Sequence, residues 1–143
     1  MTTLITHPIC LEHQMEQHHP ETPERLTAVL SHLNESGLID DLTTLQATEA
    51  IRTDLTAFHH DTYVDALDAM EPAQGLRSVN PDTSMGPKSL AAARYATGAA
   101  IQGVDRVLAG GDNRVFCAVR PPGHHAEEST AMGFCFFNSV ALA

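Results

Sequence analysis

The chain has 143 residues, of which 43% are hydrophobic and 18% charged, and it carries a net charge of −10. This length and composition predict a single globular unit covering residues 1–143. The 8 basic residues form no run and face 18 acidic ones, which argues against direct nucleic-acid binding and is compatible with cationic substrates. No apolar run approaches about 20 residues, so no membrane span is predicted. Three cysteines without Cys-x-x-Cys spacing, and no secretory signal, favour a cytoplasmic location.

Segments typical of strands and helices alternate along the chain. Strands are predicted at 2–6, 42–47 and 115–119, and helices at 23–36, 48–58, 61–70 and 88–108. Residues 71–87 are rich in proline and glycine and predict a loop, with 82–84 as its polar tip. The alternation predicts a parallel sheet in a doubly wound α/β fold, with helices on both faces.

The first helix has clear boundary signals. Thr22 is a good N-cap, Pro23 suits the first helical position, and Gly37 suits the residue after the helix end. Arg25 falls in the first turn, on the side that leads back to the preceding loop. The alternative for Arg25 is an exposed, snorkelling side chain. The fourth predicted helix, 88–108, is rich in small residues, and we expect close packing at Gly98 and Gly103 because glycine costs helix propensity.

Several histidines lie outside the strongest motif. The long loop at 7–21 contains four of them, but Cys/His ligand spacing is missing, so a metal site made by these residues alone is disfavoured. His59 and His60 precede Asp61, which can cap the following helix. Capping or packing is favoured over metal ligation for both histidines.

The apolar run at 115–119 predicts a buried strand that stops at Pro121, Pro122 and Gly123. His124 and His125 follow directly. In α/β sheets, ligands bind beyond the carboxyl ends of the strands, and imidazole titrates near neutral pH. The two side chains are therefore candidates for proton transfer, the alternative being surface histidines with no chemical role.

Asn138 is a good N-cap for an apolar helix at the end of the chain. Only three strands precede it, and three parallel strands with two apolar faces make a poor closed domain. We expect the chain to be the N-terminal part of a single longer domain. The alternative is a short domain completed by a dimer partner, so an oligomer stays open.

Four segments resemble the histone deacetylase superfamily, in the form shared by its class II and bacterial members and the acetylpolyamine amidohydrolases. The segments are His-Pro-Glu-Thr-Pro-Glu-Arg at 19–25, His-His-Asp-Thr-Tyr-Val at 59–64, Asp-Thr at 82–83, and Arg-Pro-Pro-Gly-His-His-Ala at 120–126 with Met-Gly-Phe-Cys-Phe-Phe-Asn at 132–138. The resemblance implies the arginase/deacetylase fold, a parallel sheet flanked by helices. It also implies zinc-dependent hydrolysis of acetyl-amide bonds in acetylated lysine proteins, acetylpolyamines or other acyl-amines.

The resemblance also implies roles for six residues. His125 would be the general base and then the acid, and His124 its electrostatic partner. Gly133 would offer its carbonyl to the substrate, Phe134 would form a wall of the acyl tunnel, Arg25 would sit where acetate leaves, and Asp82 would hold the substrate at the rim.

The sequence departs from the family in one respect. In the family, the zinc ligands, an Asp-x-His pair and a later Asp, come after the segment that matches residues 132–138. The transition-state tyrosine also comes after it, and neither Tyr63 nor Tyr95 matches that position. The 143 residues alone are therefore expected to bind no catalytic zinc and to be inactive. The alternative is a truncated paralogue that acts as an interaction module or has no function.

Overall fold

The structure of the protein, a computed structural model, describes residues 2–143. Its helices and strands, in chain order, are β1 (Thr2–Thr6), a 3₁₀-helix (Pro8–Leu11), α1 (Pro23–Glu35), a second 3₁₀-helix (Leu38–Asp41), β2 (Leu42–Gln46), α2 (Arg52–Leu55), α3 (Asp61–Met70), β3 (Arg77–Asn80), β4 (Thr83–Met85), α4 (Ser89–Leu108), β5 (Arg114–Cys117) and α5 (Ser139–Leu142). None of these helices is both long and apolar enough to cross a membrane.

A three-stranded parallel sheet has the order β2-β1-β5, with Thr3 opposite both Thr43 and Val115. Successive side chains of β1 point to opposite faces of the sheet. Leu4 therefore packs on one face with residues that include Leu26 of α1, while Ile5 packs on the other with Ala99 of α4. The predicted parallel sheet flanked by helices is confirmed.

Helix α4 approaches its neighbours closely, as its small residues predict. A Cβ added at Gly98 would overlap the carbonyl oxygen of Thr48, and one at Gly103 would lie 3.1 Å from Cγ1 of Val115. Both glycines are buried. The close packing expected at these positions is confirmed, and it sets how near α4 lies to the sheet.

The third predicted strand differs from the observed one in length and burial. β5 ends at Cys117, two residues early, and it is not fully buried: Phe116 is 46% exposed. The reason is that β5 pairs only with β1 among the described strands, so it lies at an edge of the sheet. Ala118 still donates its N–H to Ile5 O at 2.9 Å, which extends the parallel pairing slightly.

The segment predicted as a loop at 71–87 contains an antiparallel hairpin of β3 and β4. Thr83 and Ser84, expected at an exposed tip, are each 1% exposed. Each side chain has a fixed partner: Ser84 Oγ donates to a Glu16 carboxylate oxygen, and Thr83 Oγ1 donates to Asp82. The strands are short and polar and have proline and glycine on both sides, a pattern that predicts a loop rather than a hairpin.

Two helix predictions need correction. Within the predicted helix 48–58 only α2 is helical. Asp61 is the first residue of α3 rather than its N-cap, which is His60. The Asp61 carboxylate instead accepts two hydrogen bonds from Arg52, at 3.2 and 2.8 Å.

Candidate active site

The loop that leaves β5 carries the tandem histidines. Its shape depends on Gly123, because a Cβ there would lie 2.5 Å from both Phe137 O and Ser139 Oγ. The loop therefore lies directly on the backbone that begins α5. His124 and His125 follow, both exposed, with their ring centroids 4.3 Å apart and the ring planes inclined by 53°.

A cavity of about 590 Å³ opens beside the two imidazoles. Most of its lining side chains are apolar. The lining residues are Pro20, Glu21, Arg25, Leu26, Val29, Phe116, Cys117, Ala118, Val119, Arg120, Pro122, His124, His125, Gly133 and Phe134. Of the six residues predicted as functional, five lie on this cavity; the sixth, Asp82, does not.

Gly133 and Phe134 lie directly against the histidine loop. Gly133 has φ +55°, and a Cβ at this position would come within 2.7 Å of Cδ2 and Cγ of His125. Phe134 also has a positive φ, +71°, which is rare for a side-chain-bearing residue. Its N–H donates to Thr83 Oγ1 at 3.1 Å, and its ring meets the His19 ring edge-on at 4.5 Å between centroids.

Two side chains at the start of α3, His59 and Tyr63, hold the segment 128–138, which follows the tandem histidines. His59 is 2% exposed; its Nε2 accepts the Asn138 N–H at 2.9 Å, and its Nδ1 lies 3.1 Å from Glu128 O. Since the backbone N–H can only donate, Nε2 carries no proton and Nδ1–H donates to the carbonyl. Tyr63 donates its hydroxyl to Phe136 O at 2.6 Å, and burial raises its pKa. The packing role predicted for His59 is confirmed.

Arg25, in the first turn of α1, is exposed and lines the cavity. Within residues 2–143 its guanidinium makes no ion pair and no side-chain hydrogen bond. An unpaired cation beside an apolar cavity can accept an anionic ligand.

Asp82 is exposed and lies outside the cavity. Thr83 links it by hydrogen bonds to Phe134, which lines the cavity. Asp82 Oδ1 accepts the Thr83 hydroxyl at 2.7 Å, and the same hydroxyl oxygen accepts the Phe134 N–H. His19 Nε2 lies 3.2 Å from Asp82 O. The hairpin thus connects Asp82 to the Phe134 backbone.

A buried charged cluster contributes Glu21 and Arg120 to the cavity wall, and the sequence does not indicate it as a unit. Arg120, 3% exposed, donates to both carboxylate oxygens of Glu21, at 2.8 and 2.6 Å, and to the carbonyls of Cys10 and His13, both at 2.8 Å. Burial alone would raise the pKa of Glu21, but the nearby His13 imidazole, the hydrogen bonds from Arg120 and the Arg120 charge lower it to about 2. The sequence does carry a signal for this pair: Arg120 directly follows the apolar run 115–119, and Glu21 lies in the histidine-rich loop 7–21.

His13 completes this cluster from within the long loop. Ser89 Oγ accepts the Gly86 N–H, so its own proton is available to His13 Nδ1, 2.7 Å away. Nε2–H then faces the Glu21 carboxylate, at 3.4 Å and without good hydrogen-bond alignment. Burial lowers the pKa of His13 despite the opposing effect of Glu21.

No group of three or more His, Cys, Asp or Glu side chains between residues 2 and 143 is placed to hold a metal ion. Three of the four histidines in the 7–21 loop have separate partners. His7 stacks on Tyr95 at 4.0 Å, whereas His13 and His19 contact Ser89 and Phe134.

Residues 19–143 match the histone deacetylase domain family. The chain belongs to the histone deacetylase family. It is similar to the histone deacetylase-like amidohydrolase of Pseudomonas aeruginosa, with 39% identity over 125 residues, which cover 87% of this chain and 33% of the relative. It is also similar to the human polyamine deacetylase HDAC10, with 39% identity over 128 residues, 86% of this chain and 19% of that protein.

A solved structure agrees with the family. The crystal structure of the HDA15 HD domain superposes with a TM-score of 0.92 at 32% identity, over 99% of this chain and 41% of that chain. The histone deacetylase fold expected from the resemblance is thereby confirmed for the described residues. The chain spans a third or less of the two curated relatives named above.

Proposed function

We propose that the protein hydrolyses acyl-amide bonds as a zinc-dependent deacetylase, and that this chain provides the proton-transfer side of the active site. The observation that carries the proposal is the position of His124 and His125. Both imidazoles lie at an apolar cavity, and the His125 ring is in contact with Gly133. Two adjacent imidazoles can divide the base and electrostatic roles.

His125 is assigned the proton transfers. It takes a proton from the attacking water as the water oxygen bonds to the acyl carbon. It then gives the proton to the leaving nitrogen as the C–N bond breaks, so that a carboxylate and an amine are released. His124, 4.3 Å away between ring centroids, is assigned the electrostatic role. A histidine suits this cycle because its unperturbed pKa lies near neutral pH.

The cavity suits a short aliphatic acyl group. Leu26, Val29 and Val119 contribute apolar side chains, and Phe134 lies next to the histidines. Apolar lining with few polar groups is typical of sites for such ligands. Of the two arginines that line this cavity, Arg120 is paired with Glu21, and we assign Arg25 to the carboxylate product. Gly133 and Phe134 are assigned to the substrate amide and the tunnel wall, and Asp82 to the rim.

Zinc is proposed from family membership alone. Because the described residues hold no candidate metal cluster, no catalytic step of this chain is assigned to the metal. For the same reason, the isolated polypeptide 1–143 is expected to be inactive.

The amine part of the substrate is proposed to be cationic. The chain has a net charge of −10, and both acetyl-lysine peptides and acetylpolyamines are compatible with that sign. The human relative is named a polyamine deacetylase, which makes acetylpolyamines one of the two substrates to compare.

The test measures acetate release by the full-length protein, with zinc and with a chelator, from an acetyl-lysine peptide and from an acetylpolyamine. Metal-dependent release from either substrate supports the proposal, and the ratio of kcat/KM values identifies the substrate class. Absence of hydrolysis of both substrates by a folded, zinc-loaded protein would contradict it and favour the interaction-module alternative.

A further inference from the structure

The buried cluster of Glu21, Arg120 and His13 has no role in the proposed chemistry, yet it lies next to the tandem-histidine loop. Glu21 and Arg120 both line the cavity, and Arg120 precedes His124 by only four residues. The side chains of Glu21, Arg120 and His13 are at most 8% exposed. Burying two charges is costly unless they are paired and hydrogen-bonded. A cluster of this kind at this place requires a reason beyond general stability.

The hydrogen bonds of Arg120 connect two segments that are distant in sequence. The planar guanidinium forms a two-point contact with Glu21, and its remaining nitrogen donates to the carbonyls of Cys10 and His13. All of these acceptors belong to the long loop between β1 and α1. Four hydrogen bonds from the Arg120 side chain therefore fix the start of the loop that carries His124 and His125 to the 7–21 loop. A lysine could not reproduce them, because its ammonium group lacks the planar fork.

The long loop is itself fixed on its far side. His13 contacts Ser89 at the first residue of α4, and Ser89 accepts the Gly86 N–H. A continuous path of polar contacts therefore runs from α4 through His13 and Glu21 to Arg120. The path ends where the chain turns toward His124.

We infer that Glu21 and Arg120 are a positioning pair, which aligns the His124–His125 loop for proton transfer without contacting the substrate. This inference rests on the proposed deacetylase function. A positioning role predicts a loss in kcat larger than the change in KM, because the substrate cavity stays while the imidazoles lose alignment. Misplacement by about 1 Å can cost about 100-fold in rate.

The chain offers a matched control for this pair. Asp112 is 4% exposed and pairs with Arg106 at 2.6 Å, so it too is a buried carboxylate bound to an arginine. It precedes β5, at the opposite end of that strand from the cavity. Glu21→Gln and Asp112→Asn each remove the charge of a buried carboxylate paired with an arginine, which is 4% exposed for Arg120 and 36% for Arg106. Only Glu21 contacts the residue that begins the histidine loop.

The experiment uses full-length, zinc-loaded protein with Glu21→Gln, Glu21→Asp, Arg120→Lys and Asp112→Asn. The expected result is a fall in kcat of about 100-fold in Glu21→Gln, with little change in KM. Arg120→Lys is expected to fall similarly, and Glu21→Asp less. Asp112→Asn is expected to lose thermal stability while keeping wild-type kcat. If Glu21→Gln does not fold, the kcat values of Glu21→Asp and Arg120→Lys test the inference instead.

A second readout does not depend on activity. The imidazole C2–H resonances of His124 and His125 are expected to shift in Glu21→Gln and to remain in place in Asp112→Asn. This measurement still tests the pair if the wild-type protein hydrolyses no acyl-amide, in which case only the proposed function fails. Unchanged resonances, or an unchanged kcat in folded Glu21 and Arg120 variants, would overturn the inference and leave the pair a purely structural element.

Discussion

His59 Nε2 accepts the backbone N–H of Asn138 at 2.9 Å, and this single contact joins the start of α3 to the start of α5. Asn138 in turn donates its side-chain amide to Ala126 O at 2.8 Å and caps α5 through the Ala141 N–H. Phe134 lies between Ala126 and Asn138 in the sequence, and the tandem histidines at 124 and 125 directly precede Ala126. The geometry of the candidate site therefore depends on a buried, neutral imidazole outside it.

The first prediction is that acid destabilises the fold through His59. Burial lowers the pKa of His59 below its ordinary value of 6.5, so the unfolded chain binds more protons below that pH. The contribution of neutral His59 to the free energy of unfolding is fully present above pH 6.5. It falls as the pH drops toward the lower folded pKa, with a slope of at most about 1.4 kcal/mol per pH unit.

This prediction is checked by thermal unfolding of the full-length protein between pH 7.5 and 5.5. His59→Gln is expected to lower stability at pH 7.5 and to reduce the pH slope. His60→Gln, at an exposed position, is the control for replacing a neighbouring imidazole. His13, whose pKa is also lowered, leaves a residual slope in both variants. Equal slopes in wild type and His59→Gln would contradict the prediction.

The second prediction concerns Glu21 at lower pH. Its pKa falls from 4.5 to about 2 in the folded protein, so its contribution is complete above pH 4.5 and is lost as the pH falls through about 2. Removing one partner of a buried pair costs about 3–5 kcal/mol. Glu21→Gln is therefore expected to be destabilised by about that much at pH 7, and by much less near pH 2. Urea unfolding at both pH values measures the difference, and a constant difference would contradict it.

The sequence indicates much of this fold and misses specific long-range partners. The β-branched start of the chain, the Thr22–Pro23 helix start and the Asn138 cap each express a local preference, and each is seen in the structure. The pairing of Glu21 with Arg120 joins residues 99 positions apart. No local preference determines such a pairing. In the sequence, Glu21 and Arg120 belong to two separate motifs.

The sequence does not indicate the hairpin of β3 and β4 for a related reason. Its strands are short and polar, and the pattern of residues 77–85 resembles a loop. Only β4 is buried, and tertiary contacts hold the hairpin in place, such as the Asn80 amide that donates to Ala131 O at 2.7 Å. In contrast, the close approach of α4 was predictable, because glycine inside a helix has a local cost that requires a packing reason.

The third prediction is that a methyl group at position 123 displaces the histidine loop. The Cβ would meet Phe137 O at 2.5 Å and the Ser139 N at 2.7 Å, and backbone atoms cannot move aside easily. Gly123→Ala is expected to reduce kcat by about 100-fold. Gly111→Ala, where the nearest atom would be 3.7 Å away, is the control and is expected to keep activity. Equal kcat values in the two folded variants would refute the close packing.

The fourth prediction separates backbone strain from contact with His125. Gly133 and Gly110 both have positive φ, +55° and +73°, so alanine at either position costs about 1–2 kcal/mol in the backbone. Only at Gly133 would the new Cβ approach the His125 ring, whereas the space around Gly110 is open. Gly133→Ala is expected to lose activity and Gly110→Ala to lose stability alone. Steady-state kinetics beside thermal unfolding distinguish the two effects, and similar activity in both variants would contradict the prediction.

The central claim is that His125 transfers protons in amide hydrolysis, and its most direct test is the turnover of full-length, zinc-loaded His125→Ala on the preferred acetylated substrate. The expected result is a fall in kcat of about 10²–10⁴-fold with the fold intact. His60→Ala, which replaces an exposed imidazole outside the cavity, is expected to keep wild-type turnover. Turnover of His125→Ala close to that of the wild type would contradict the claim.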